Sequence, residues 1–183
     1  MEEGSCFRNT QLLIIVMNNI DRMNYESKEE MYDYLNMSLE ALISDEPDWL
    51  ANLSNAASVL WLMLEDINWS GFYLYKNGEL VLGPFQGKPA CVHIKPGKGV
   101  CGTAAEKRET QLVKDVHEFP GHIACDSESN SEIVVPIIKD GRLIGVLDID
   151  SPVHGRFDET DGKYLERFVS IIVSHVCFPE AFV

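Results

Sequence analysis

The sequence predicts an α+β fold: one six-stranded, mostly antiparallel sheet with helices packed on one face, the other face left for a ligand beneath the loops. Three observations predict it. Helical periodicity fills the first third of the chain and returns only near its end. From Trp69 the apolar period drops to two. No repeat, low-complexity tract or linker interrupts the 183 residues. The whole chain, 1–183, therefore reads as a single domain. Its N-terminal helices occupy about 10–67, the sheet with its ligand-site loops about 69–153, and the C-terminal helix about 158–177.

Taken in order, Leu12–Met23, Lys28–Ile43 and Asn52–Ile67 carry helical periodicity, and Leu60, Leu62, Met63 and Leu64 make the third of these largely apolar. The acidic break Asp45–Asp48 caps that helix. "WSGFYLYKNGELVLGPF" reads as a hairpin turning at Asn77–Gly78. "ACVHIKPGKG" is a third strand running into a Pro/Gly loop, "GVCGTAAEKRE" a short helix and "TQLVKDV" a fourth strand. His117–Asn130 has no period; a loop of that length inside a compact domain is usually functional. Ser131–Pro152 is a second hairpin, and "DETDGKYLERFVSIIVSHV" is a closing amphipathic helix.

With 29 acidic against 15 basic residues the net charge is -14. This excludes nucleic acid as the expected partner, because phosphate binding needs a basic face, and disfavours an anionic membrane surface. "LLIIVM" is too short to span a bilayer, and "MEEGSC" is not the basic start of a signal peptide. The expected location is the cytoplasm. There the five cysteines, an odd number, are not a disulfide framework.

The second hairpin raises a question of charge. Glu132, Asp148 and Asp150 lie in an otherwise apolar hairpin, and carboxylates are rarely buried unpaired. A three-residue loop, Lys139-Asp140-Gly141, pairs Ile138 with Arg142, Glu132 with Asp148 and Asn130 with Asp150, which places the three acids on one face. A two-residue Asp-Gly loop puts Glu132 on the opposite face. The acids are either solvated strand ends and caps for "SPVHGRF", or a same-face cluster that repels itself unless a cation occupies it or one acid keeps its proton.

Cysteines are most often buried apolar residues, and Cys6 and Cys177, near the chain ends, keep that reading. Cys91, Cys101 and Cys125 lie at element ends or in loops. Cys101 is in the first turn of the short helix, where the backbone N–H groups and the dipole favour a thiolate. A zinc site built from Cys91, His93, His122 and Cys125 is the rival chemistry, though its spacing lacks the CxxC pairs of structural zinc. His117, His154 and His175 read as surface or loop residues. Trp69 and Tyr73 alternate onto one strand face, either as core or as an aromatic wall for an apolar or cationic group.

"INWSGFYLY", "LVLGPFQGKPACVHI", "GKGVCGTAA", "DVHEFPGHIACDSESNSEIVVPI" and "GVLDIDSP" resemble the free methionine-(R)-sulfoxide reductases, which have the GAF fold. The resemblance covers nearly the whole chain, the N-terminal helices in pattern only. It implies a cytosolic enzyme, usually a homodimer, that reduces free L-methionine (R)-S-oxide to methionine and is recycled by thioredoxin, with no metal or organic cofactor. It also implies active-site cysteines at Cys91, Cys101 and Cys125, and ligand contacts at Trp69, Tyr73, Glu132, Asp148 and Asp150. Helix-end physics favours Cys101 as the attacking thiol. The resemblance favours Cys125, with Cys91 resolving and Cys101 secondary. Glu132 or Asp150 is expected to protonate the sulfoxide oxygen. The alternative is a GAF sensor module that binds a small molecule without catalysis, which fold alone does not exclude.

Overall fold

A computed structural model describes residues 24–121 and 126–179. The expected helix Leu12–Met23, and with it Cys6, His122 and Cys125, lies outside the described residues. The first described helix, α1 (Lys28–Ile43), starts where Ser27 Oγ accepts from the Glu30 amide at 3.1 Å, and Glu29 and Glu30 sit favourably at the positive end of its dipole. The next, α2 (Trp49–Met63), begins earlier than its periodicity suggests because Asp48 caps it, accepting from Ala51 N at 2.8 Å. It stops at Met63 rather than Ile67, where Leu64 turns extended and Asp66 takes a positive φ.

Six strands follow the order β3-β2-β1-β6-β5-β4, every neighbour antiparallel. They are β1 (Trp69–Lys76), β2 (Glu79–Gly87), β3 (His93–Ile94), β4 (Gln111–Val113), β5 (Ser131–Lys139) and β6 (Arg142–Ser151). The third strand is shorter than its apolar run because Pro89 and Pro96 flank it and cannot donate to a ladder. Between β3 and β4 lies α3 (Gly99–Lys107), and α4 (Glu159–His175) closes the fold with a capping box made by Asp158 and Asp161.

On one face α2 packs on β1 and β2, α4 on β5, and α1 bridges the two helices. Leu35, Leu39, Leu53, Leu60, Phe72, Ile133, Val135, Leu147, Ile149 and Phe168 meet there in the larger core. A smaller cluster occupies the other face, where α3 brings Val100, Cys101, Ala104 and Ala105 against Tyr73, Ile94, Val134 and Val146. The ligand side is therefore roofed by a helix rather than by loops alone. Among the described residues no helix is long and apolar enough to cross a membrane.

The β5–β6 turn corrects the expected register. The loop has two residues, Asp140 and Gly141, both at positive φ (51° and 76°), and Lys139 pairs with Arg142. Continued regularly, that register would set Glu132 against Ile149, on the helix face. A β-bulge intervenes: Ile138 pairs with Leu143 and Ile137 with Gly145, leaving Ile144 as the extra residue. The bulge restores the parity, so Glu132 pairs with Asp150 and Val134 with Asp148. The acids share a face, as the three-residue loop would have had them, but by a different device and with partners shifted by two.

The same region gives a stability prediction. A Cβ on Gly145 would overlap the Tyr73 carbonyl oxygen, a backbone contact that moves only if β1 and β6 part. Gly145→Ala is expected to lower unfolding free energy by about 1–3 kcal/mol, seen as a lower urea midpoint. An unchanged midpoint would mean that the strands separate there without penalty.

Candidate active site

The site lies where β1, β6 and β5 run side by side. Trp69 pairs with Asp150 and Gly71 with Asp148 across β1–β6, and Glu132 pairs with Asp150 across β5–β6. Alternation along each strand turns Trp69, Tyr73, Glu132, Asp148 and Asp150 into one pocket, which Cys101 and Val100 of α3 close from above. All five expected ligand contacts thus line one cavity.

The aromatic wall is built by stacking. Trp69 lies between Tyr73, centroids 5.8 Å apart, and Phe85, at 5.2 Å. Both polar ends are used: Tyr73 Oη donates to the Cys91 carbonyl at 3.0 Å and Trp69 Nε1 to the Lys88 carbonyl at 3.1 Å. The wall therefore anchors the segment between β2 and β3 that carries Cys91, itself half-buried.

Glu132 and Asp148 are each only 6% exposed. That removes the reading of these two as solvated strand ends. Burial pushes the Glu132 carboxyl well above its usual range, and the neighbouring Asp148 and Asp150 push it further. Burial raises Asp148 to about 6, held there by hydrogen bonds from Cys101 and Glu132 that favour its anion. Asp150 is raised by burial and then by Asp148. Asp148 is therefore the member of the cluster that ionises most readily, while Glu132 and Asp150 are both held towards their neutral forms. Asp148 Oδ1 is buried with no hydrogen-bond partner among the described residues.

Cys101 departs from the helix-end expectation. Its thiol is 4% exposed and its Sγ lies 3.9 Å from Glu132 Oε1. Burial, followed by the fields of Asp148 and Glu132, pushes its pKa well above the ordinary thiol value. A first-turn position is worth about 0.3–1 kcal/mol to an anion, too little against burial beside carboxylates. Cys177 also departs from expectation, being exposed rather than buried. His93 is exposed, with Nδ1 3.0 Å from Glu79 Oε1, so of the four residues considered for zinc only Cys91 is described beside the pocket wall.

Several residues that the sequence did not single out border the pocket. Lys88, just past β2, bridges to Asp126 at 3.2 Å and to Glu128. Asn68 Nδ2 donates to Asp126 Oδ2 at 3.3 Å and Ser129 Oγ at 3.0 Å. These contacts tie the chain immediately after Cys125 to the segment just before Cys91. Their only sequence signal was position: Asn68 precedes β1, and Lys88 stands three residues before Cys91.

The chain matches the GAF domain family model over residues 53–176. It is 50% identical over 163 residues to the free methionine-R-sulfoxide reductase of Saccharomyces cerevisiae, covering 83% of this chain and 91% of that one. Against the free methionine-R-sulfoxide reductase of Escherichia coli the identity is 52% over 144 residues, covering 79% and 87%. The X-ray structure of free methionine-R-sulfoxide reductase from Neisseria meningitidis in complex with its substrate superposes with a TM-score of 0.81 at 46% identity, covering 84% of this chain and 93% of that one.

Proposed function

The chain belongs to the GAF-domain free methionine-(R)-sulfoxide reductases, and from that premise we propose that it reduces free L-methionine (R)-S-oxide to methionine by thiol chemistry in this pocket. The observation that carries the reading is the buried Glu132–Asp148 pair beneath the Trp69–Tyr73 wall. A free amino acid brings an ammonium group, for which the Asp148 carboxylate is the counter-charge with Asp150 beside it; the aromatic faces take the methyl–sulfur end. Glu132, which keeps its proton, donates to the sulfoxide oxygen.

In this reading Cys125 attacks the sulfoxide sulfur. The oxygen passes to the cysteine, leaving methionine and a Cys125 sulfenic acid. Cys91 condenses with that sulfenic acid, releasing water and forming a disulfide, which a dithiol such as thioredoxin opens to regenerate both thiols. The ties from Lys88 and Asn68 to Asp126 support a Cys91–Cys125 pairing, because they join the flanks of the two cysteines. The chemistry needs no metal or organic cofactor, and its dependence on reduced thiols suits the cytoplasm. A homodimer is consistent with the apolar side chains Leu50, Trp61 and Leu62 that α2 leaves exposed. Oxidation by substrate without reductant should give a Cys91–Cys125 disulfide on peptide mapping; Cys6 or Cys177 in the main bridge would overturn the pairing.

The decisive test of function is substrate choice. An amide N–H carries no charge, so a peptide-bound methionine sulfoxide leaves the buried carboxylates without a counter-ion. Breaking a buried charge pair in this way costs about 3–5 kcal/mol, at least a hundredfold in affinity. With one dithiol reductant, catalytic efficiency on the free R-sulfoxide should exceed that on its N-acetyl derivative by at least that factor. Comparable values would show that the carboxylates do not hold the ammonium. No methionine from either would favour a non-catalytic sensor.

A further inference from the structure

The reductase reading uses the carboxylates of the cluster but gives Cys101 no step. Its sulfur is nevertheless part of the cluster: Cys101 Sγ, one Glu132 oxygen and one Asp148 oxygen all lie within 4.8 Å of one another, and all three residues are buried. An ammonium ion needs oxygen acceptors and gains little from a thiol, a weak acceptor. A thiophilic divalent cation uses every member of the set. With zinc–sulfur and zinc–oxygen distances of about 2.3 and 2.1 Å, tetrahedral geometry separates sulfur from oxygen by roughly 3.6 Å, close to the 3.9 Å between Cys101 Sγ and Glu132 Oε1.

A second observation points the same way. Asp148 is 94% buried, by its 6% exposure, and among the described residues its Oδ1 has no hydrogen-bond partner. Such an oxygen is costly to keep unless something positive reaches it. We propose that Cys101, Glu132 and Asp148 form a three-ligand site for a thiophilic divalent cation of the zinc type, and that its occupancy excludes the substrate's ammonium from the pocket. The cation is a competitor there and not a cofactor. Three protein ligands leave one coordination position to water. On binding, the thiol and Glu132 lose their protons to solvent, and the two carboxylates and the thiolate face the dication. Only the exclusion clause rests on the proposed function; the site stands on its donors alone.

The test uses the reduced full-length chain and cobalt(II) as a spectroscopic stand-in for zinc. One equivalent of cobalt should bind and give the near-ultraviolet charge-transfer band of a thiolate ligand, and zinc should displace it. Cys101→Ser should lose the band, and Asp148→Asn should weaken cobalt binding at least about tenfold. A variant with Cys6, Cys91, Cys125 and Cys177 all changed to Ser keeps Cys101 as the sole thiol and should keep the band, whether or not Cys101→Ser folds. A band that survives Cys101→Ser, or vanishes from the Cys101-only protein, would assign the metal to other thiols and overturn the site. Absence of cobalt binding would do the same. Methionine sulfoxide should lower the apparent cobalt affinity; an unchanged affinity would overturn the exclusion. Because the binding arms need no turnover, a protein that failed as a reductase would still decide them.

Discussion

Cys125→Ser is expected to release no methionine in a single turnover with the R-sulfoxide, while Cys101→Ser keeps at least part of that turnover. The argument turns on which thiol can ionise. A thiolate is the nucleophile, and attack is fastest when the thiol's pKa is near the ambient pH. Cys101 is buried against Glu132 and Asp148, and both the burial and the two carboxylates push its pKa up. At neutral pH it stays a thiol, with its Sγ 3.9 Å from Glu132 Oε1. The ~0.3–1 kcal/mol that a helix N-terminus offers an anion does not reverse this. The proposed mechanism therefore gives the attack to a cysteine outside α3, and the family resemblance favours Cys125. Cys91→Ser should give one equivalent of methionine and then stall as a sulfenic acid that dimedone traps. The measurement is rapid quenching with methionine counted per active site. One equivalent from Cys125→Ser together with none from Cys101→Ser would show that the helix end outweighs burial after all.

The hairpin that carries the acids shows what a sequence can and cannot convey. Its strand character, the position of its turn and the common face of Asp148 and Asp150 were legible, because side-chain alternation and an Asp-Gly turn are local signals. The register was not. Asp140–Gly141 alone would have put Glu132 on the helix face, and only the bulge at Ile144 prevents it. A bulge depends on how β6 meets both β5 and β1, which no local pattern records. The position of Cys101 in α3 was equally plain, but its chemistry followed from what lies beneath the helix, residues 31 and 47 positions further along the chain. Lys88 was missed for the same reason: its partners Asp126 and Glu128 lie 38 and 40 positions away. The aromatic wall was found because β1 presents Trp69 and Tyr73 two pleats apart on one face. The Cys91–Lys88 segment they hold was not, because those bonds run from side-chain tips to a loop's carbonyls.

Glu132→Gln is expected to lower kcat by about 100- to 10,000-fold, the usual loss on removing a general acid, with little change in KM. The cluster gives the reason. Three carboxyls crowd one buried site: burial raises all of them, Asp148 to about 6, and repulsion by Asp148 pushes Glu132 and Asp150 further. In the proposed reaction Asp148 is then the anion that holds the ammonium and Glu132 the acid that donates to the sulfoxide. The pH profile should have two limbs. Below about pH 6 Asp148 takes up a proton and KM rises. As pH climbs through the raised value of Glu132 its proton is lost and kcat falls. Gln keeps the shape and an N–H donor but has no proton to transfer, so the variant should be slow and should lack the alkaline limb; Asp150→Asn should also be slower but keep it. A Glu132→Gln rate within tenfold of the parent, with that limb intact, would mean that another group supplies the proton. Stability should move the opposite way. A carboxyl raised in the folded state contributes stability that is full below its unfolded pKa and is lost as pH rises through the folded one. The parent should therefore lose stability on the alkaline side, where Glu132 must ionise beside Asp148. Gln escapes that repulsion, so above the raised value Glu132→Gln should melt at a higher temperature than the parent while turning over far more slowly. A lower melting temperature at high pH would mean that Glu132 stabilises the fold as an anion, and the proton assignment would then have to pass to Asp150.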